Sequence, residues 1–220
     1  AVSQSFSRAM DAHDLDAAVA HFAEGWVMSD HRRLGGDPIC GRDHVRVALT
    51  RIMQQYSHFE SHALAVRGDR IELAVSRWHD DDGNVSENLH VNEVDDDGLM
   101  ISDSRFDIDD FPGAYAEMER RYFRDEGKAF AESADLATEY VLAMNRDDFD
   151  AVFEELTCPD VYVENRSSSG FPYRSAADLK ESLTKLRSML CSVRWWFSAV
   201  EWLSPNLMVE RMEREGRGPS

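Results

Sequence analysis

Basic charge, paired cysteines and long apolar runs are what this sequence has least of, and each shortage removes a class of function. Lysine and arginine number 24 against 42 aspartates and glutamates, giving a net charge of −18. Acid exceeds base in both halves of the chain, so the surface repels phosphate backbones and anionic lipid, and no nucleic acid is expected as a partner. No apolar stretch approaches bilayer-spanning length, so no membrane association is expected. There are three cysteines, Cys40, Cys158 and Cys191. An odd count without short spacings suggests neither a zinc site nor a disulfide framework, and a reducing cytoplasm is the expected compartment. The chain opens on Ala1 with no charged leader or cleavage pattern, which fits a piece of a longer protein.

What is present is a repeat. Residues 9–79 return, without a gap, as residues 143–213, an offset of 134 (143 − 9). The identical pairs include Met10/Met144, Asp14/Asp148, Asp16/Asp150, Val27/Val161, Gly36/Gly170, Pro38/Pro172, Leu49/Leu183 and Val75/Val209. A period this long denotes two whole domains and not a solenoid.

Within each copy the hydrophobic period changes in a fixed order. Phe6 and Met10, like Leu136, Tyr140, Val141 and Met144, fall at helical spacing. Asp14-Leu15-Asp16-Ala17 and Asp148-Phe149-Asp150-Ala151 open a second helix, where carboxylates satisfy unpaired amides and oppose the positive dipole end. Short β-rich runs follow, Trp26-Val27-Met28 and Val161-Tyr162-Val163, each leading into a polar loop closed by Pro38 or Pro172. A third helix carries Val45, Leu49, Ile52 and Tyr56, or Leu179, Leu183, Leu186 and Leu190, the latter with a Ser175/Asp178 cap. The period then falls to two, and strands joined at Gly68-Asp69 are expected, with two more at about 87–94 and 99–106 in the first copy. Residues 111–123 read as a helix leading to a linker. Asp80-Asp81-Asp82 and Asp95-Asp96-Asp97 read as solvated hairpin tips.

Helix, helix, short strand, loop, helix and a long antiparallel meander resembles the nuclear transport factor 2-like fold, shared by SnoaL-like polyketide cyclases and ketosteroid isomerase. Met10-Asp11-Ala12-His13 through Ala17, and Met144-Asn145-Arg146-Asp147 through Ala151, resemble the small-helix turn of SnoaL-like domains. The resemblance implies an α+β chain of two tandem cones, each with helices packed in a curved antiparallel sheet. Its boundaries are 1–110 for the first domain, 111–130 for a connecting helix and linker, and 131–220 for a second domain. The second copy stops at the counterpart of residue 86, so its sheet is expected to be two strands short. Val163-Glu164-Asn165-Arg166-Ser167, Trp202-Leu203-Ser204-Pro205 and Phe111-Pro112-Gly113-Ala114-Tyr115 further resemble tandem SnoaL-like segments appended to actinobacterial signalling proteins with nucleotide cyclase or ATPase modules. Nothing here resembles a cyclase metal site or a P-loop. The implied role is a noncatalytic ligand-binding or interaction module of a larger cytoplasmic signalling protein. Its expected partners are a small anionic or apolar molecule, other modules of the same polypeptide, and a second copy of the chain.

The superfamily's enzymes place a carboxylate on the cone wall to move a proton beside a carbonyl, which gives the alternative role of isomerase, cyclase or hydratase. Asp103 and His90 are the candidate catalytic groups. Alternation places Asp103 and Arg105 on one side of their strand, and Arg77 and His79 extend the apolar side of Ile71, Leu73 and Val75. A cluster of Arg77, His79, Asp103 and Arg105 is therefore expected, set against a simple rim pair between Asp103 and an arginine. Arg32/Arg166 and Arg77/Arg211 are basic in both copies and are suited to an anionic ligand. With His79 and Arg105 they complete the candidate ligand-binding set, against a reading in which each arginine clamps its own copy's acid. His58 and His62 lack a fixed third ligand, so no metal and no cofactor is expected. Trp195-Trp196-Phe197 reads as a strand buried on both faces.

Overall fold

The computed structural model describes residues 2–158, 160–161 and 175–218, with side chains from Ser5 onward. The chain divides into two compact units, Ala1–Ala129 and Phe130–Ser220. No helix among the described residues is long and apolar enough to cross a membrane.

The first unit begins with α1 (Val2–Asp11) and α2 (Leu15–Val19). Asp14 caps α2, its side chain accepting from the Ala17 amide at 3.0 Å. That hydrogen bond gives Asp14 a structural role, and Asp16 pairs at the surface with Arg46 at 2.7 Å. β1 (Phe22–Asp30), β2 (Ile39–Cys40) and α3 (Arg42–Gln55) follow. The meander is β3 (His58–Arg67), β4 (Ile71–His79), β5 (Val85–Val94) and β6 (Met100–Asp107). The six strands lie in the order β2-β1-β6-β5-β4-β3. Only the β1–β6 pair is parallel; the others are antiparallel. Gly68, at φ +54°, turns the chain between β3 and β4, and a side chain there would collide with the Glu126 carboxylate.

Helices pack on both faces of the sheet, and this decides where the central side chains of the meander go. One face packs against α1, α2 and α3 through Met10, Val19, Phe22, Trp26, Leu49 and Phe59. The other lies under α4 (Phe111–Arg124), which contacts β3, β4, β5 and β6. Phe111, Tyr115, Met118 and Tyr122 of α4 are all buried. At about 1.5–3 kcal/mol for each large side chain fully buried, this face makes α4 part of the first unit's core. The helix expected to connect two domains is thus an integral layer of the first, and the unit extends to Ala129. Two buried arginines fasten it. Arg67 of β3 donates to Glu119 at 3.0 Å, and Arg121 donates to Ser102 and Ser104 of β6 at 2.7 Å each.

The second unit contains α5 (Ala134–Asn145), a π-helical turn at Ala151–Glu155, α6 (Ala176–Ser188), β7 (Ser192–Ser204) and β8 (Leu207–Arg217). The Ser175 hydroxyl accepts from the Asp178 amide and caps α6. β7 and β8 pair antiparallel as a two-stranded sheet. Trp195, Trp196 and Phe197 of β7 are buried in succession, so both faces of this strand are covered locally. The run at 162–174, with Arg166 in it, lies outside the described residues.

Candidate functional site

β5 reads Asn88, His90 and Asn92 on one side and Leu89, Val91 and Glu93 on the other. The apolar pair goes under α4. The polar side faces α1 to α3, where the sheet and the helices do not meet completely and leave a cavity of about 250 Å³. Its walls include Trp26, Leu49, Phe59 and Trp78, with His90, Asn92, Asp103 and Arg105 along the sheet. A mostly apolar hollow with a few convergent polar groups is the common form of a small-molecule site.

Register assembles the polar groups. Across β5 and β6, His90 lies opposite Arg105 and Asn92 opposite Asp103. His90 Nδ1 and Asp103 Oδ1 are 2.9 Å apart, and both side chains are only 7% exposed. Arg105 Nε donates to the other carboxylate oxygen at 3.1 Å. Burial alone would raise the Asp103 carboxyl, but His90 and Arg105 override it and hold the group down to about 2. Asp103 is therefore ionised at neutral pH and can only accept, so the proton in the shared hydrogen bond sits on His90 Nδ1. In the neutral ring the lone pair is then on Nε2. That atom is buried and has no hydrogen-bond partner among the described residues, and Trp26 Nε1 shares this condition on the same cavity wall. A buried polar atom left unpaired costs about 1–3 kcal/mol, and these two belong to side chains that line the one cavity.

Of the expected site residues, the structure brings together His90, Asp103 and Arg105. Arg77 and His79 do not join them, which corrects the expected cluster. The apolar side of β4 that they extend is the one under α4, opposite to the cavity. Beyond Val75 the strand outruns its cover, and Arg77 is 48% exposed on the side chain, paired with Glu87 on β5 at 2.5 Å. His79 lies near His58, with ring centroids 5.5 Å apart, and Glu60. Arg32 donates to Asp30 at 2.8 and 2.6 Å, chelating it at the exit of β1. That hydrogen bond lowers the Asp30 carboxyl and raises the Arg32 guanidinium. Arg211 is exposed on β8. Sequence reasoning missed Trp26 and Asn92. The alternation of Asn88, His90 and Asn92 with Leu89 and Val91 was the available signal for a polar wall.

Two expected outcomes follow from these positions. Because Arg77 is paired at the surface, Arg77→Ala should change stability by only about 0–1 kcal/mol, measured by urea denaturation; a loss several times larger would contradict the exposed placement. Asp103 works the other way. A carboxyl near 3.8 when unfolded and about 2 when folded stabilises the fold fully above the unfolded value and loses that contribution as pH falls through the folded one. The shift is worth about 2 kcal/mol. The stability gap between wild type and Asp103→Asn should therefore shrink by about that amount between about pH 5 and about pH 2. A gap independent of pH would show that Asp103 is not held ionised by its neighbours.

Residues 3–103 match the model of the SnoaL-like domain. The mixed α+β arrangement with a curved sheet is consistent with the nuclear transport factor 2-like fold. No curated protein matches the chain. Similar solved structures include the Mycobacterium tuberculosis protein RV0760c in complex with estradiol-17beta-hemisuccinate, 19% identical over 49% of this chain and 92% of that one, TM-score 0.41. A computationally designed 17-OHP binder is 19% identical over the same shares, TM-score 0.40. SalBIII, an epoxide hydrolase/cyclase-like enzyme of pyran ring formation in salinomycin, is 18% identical over 48% of this chain and 86% of that one, TM-score 0.39.

Proposed function

We propose that the first unit binds a small, largely apolar molecule in the cavity between sheet and helices, and that His90, held by Asp103, moves a proton on it. The observation that carries this reading is the buried, unpartnered Nε2 of His90 on the cavity wall, with Nδ1 engaged by Asp103. An imidazole oriented by a carboxylate is suited to act as a general base through its second ring nitrogen. Asp103 is itself a poor base because His90 and Arg105 hold its carboxyl at about 2. Its role is to fix the ring and to stabilise the imidazolium once the proton has moved. Trp26 Nε1 supplies a hydrogen-bond donor in the same apolar hollow, suited to a carbonyl oxygen on which charge develops. The reaction class is isomerisation, cyclisation or hydration beside a carbonyl.

The second reading is a noncatalytic ligand-binding or interaction module within a larger cytoplasmic signalling protein, built of two SnoaL-like domains in tandem. Arg105 favours it, since a cation beside the dyad also suits simple binding of a polar group. The order of α5, α6, β7 and β8, each close to 134 residues beyond α1, α3, β3 and β4, supports a second domain of the same kind.

The two readings separate with 2-tetralone, an apolar bicyclic ketone whose carbon between ring and carbonyl is acidic. Incubated in D₂O, it should exchange that position faster with the protein than without it, followed by proton NMR. Binding seen by saturation transfer without accelerated exchange would support the noncatalytic module. Neither binding nor exchange would count against the cavity as a site for such molecules.

A further inference from the structure

The second unit holds an edge with a complementary pattern. β8 runs for eleven residues, Leu207–Arg217, and among the described residues pairs with β7 on one side only. Its counterpart at the offset of 134, β4, pairs on both sides, with β3 and β5. Leu207 and Val209 are each 56% exposed and Met212 is 41% exposed on this strand. Long, exposed edge strands recruit further strands unless something blocks them. Charge is the usual block, and here its arrangement does the opposite.

Between Val209 and Glu215 the strand reads Glu210, Arg211, Met212, Glu213, Arg214. Across β7 these charges face Val200, Ala199, Trp196 and Trp195, none of which carries a counterion. Arg214 lies 5.8 Å from the ring centroid of Trp195, and the Ser198 hydroxyl donates to Glu213 at 3.5 Å. None of the four charges makes an ion pair among the described residues. We propose that this edge is the interface for a second copy of the chain, β8 pairing antiparallel with β8 of its partner about a twofold axis through Met212.

Charge selects that register. In an antiparallel pair centred on Met212, residues equidistant from it lie opposite, so Glu210 faces Arg214 and Arg211 faces Glu213, and the twofold repeats both contacts. A twofold through Arg211 instead sets that arginine against its own copy, and one through Glu213 sets that glutamate against its own copy. Parallel pairing in register would set every charge against its own kind. Opposite charges directly across a sheet stabilise pairing and like charges oppose it. Met212 is also the midpoint of Leu207–Arg217, so the favoured register engages the whole strand. The product is a continuous four-stranded sheet, β7 and β8 from each copy, closed by symmetry.

Sedimentation equilibrium of the 220-residue chain tests it, with the single variants E210R and R214E and the double variant E210R/R214E. Far-ultraviolet circular dichroism on each checks that the second unit remains folded. The wild type should be a dimer. Each single variant places like charges opposite one another twice and should weaken dimerisation by about tenfold or more. The double variant inverts both contacts and should restore it, although it lacks the Arg214 contact to Trp195 just as R214E does. The backbone amides of 207–217 that face away from β7 should be protected from hydrogen exchange in the dimer and lose that protection in R214E. A wild type that stays monomeric overturns the proposal. So does a dimer that neither single variant weakens, or a double variant no better than the singles.

Discussion

Glu119→Ala is expected to destabilise the first unit by about 3–5 kcal/mol, the largest effect of any single substitution considered for this protein. Arg67 is 1% exposed and Glu119 7% exposed on their side chains. Beyond Glu119, the guanidinium donates to the Tyr115 hydroxyl and to the carbonyl of Val66, at 2.8 Å each. Removing the carboxylate leaves a full positive charge buried beneath α4 without the acid that balances it. Arg67→Met should cost a similar amount through the stranded carboxylate. The double variant Arg67→Met with Glu119→Leu should cost much less than the sum, because it removes both charges together and replaces them with apolar bulk. Hydrogen exchange on peptides from β5 and β6, with urea melts alongside, reads the effect in this unit separately from the second. Single variants within about 1 kcal/mol of wild type would show that the pair does not fasten α4.

The fastening of α4 bears on the cavity behind it. Arg121 of the same helix holds Ser102 and Ser104, which flank Asp103 in β6. Alternation then sends Asp103 to the opposite face of the sheet, toward His90. One layer of the first unit thus fixes the strand whose other side carries the dyad, and loss of the helix would disorder the site without touching it.

How far the sequence discloses this arrangement depends on what covers each face. The meander and its hairpins were legible because alternation and turn residues are local properties. So was the placement of Asp103 and Arg105 on one side of a strand, two residues apart. The face that lines the cavity was not. In β4 the expected core side, Ile71, Leu73 and Val75, is buried, but so are Ala74, Ser76 and Trp78 on the other side. When both faces are covered, apolarity no longer says which one meets the helices, and the reading carried Arg77 and His79 to the wrong cluster. Arg67 was invisible for the opposite reason. A charged residue at the end of a strand reads as solvent-facing, and only α4, some fifty residues later in the chain, supplies the acid that lets it be buried. His90 and Asp103 could each be named, but their contact depends on the β5–β6 register, which a shift between Glu93 and Val94 adjusts.

His90→Gln should slow the deuterium exchange of 2-tetralone by about 10²–10⁴-fold while leaving its binding within a few-fold of wild type. Glutamine keeps a polar side chain of comparable reach that can still donate to Asp103, so the buried carboxylate is not stranded and the fold should persist. What it lacks is a basic nitrogen at the cavity wall. Asp103→Asn should also slow exchange, because a neutral amide neither secures the proton on Nδ1 as firmly nor stabilises the imidazolium that forms. The two losses should not add, since both substitutions disable one unit, and the double variant should exchange no more slowly than the worse single one. Exchange at the wild-type rate in His90→Gln would move the base to another group on the cavity wall and overturn the assignment to His90. Equal loss of binding and exchange would assign His90 to holding the ligand and not to the proton transfer itself.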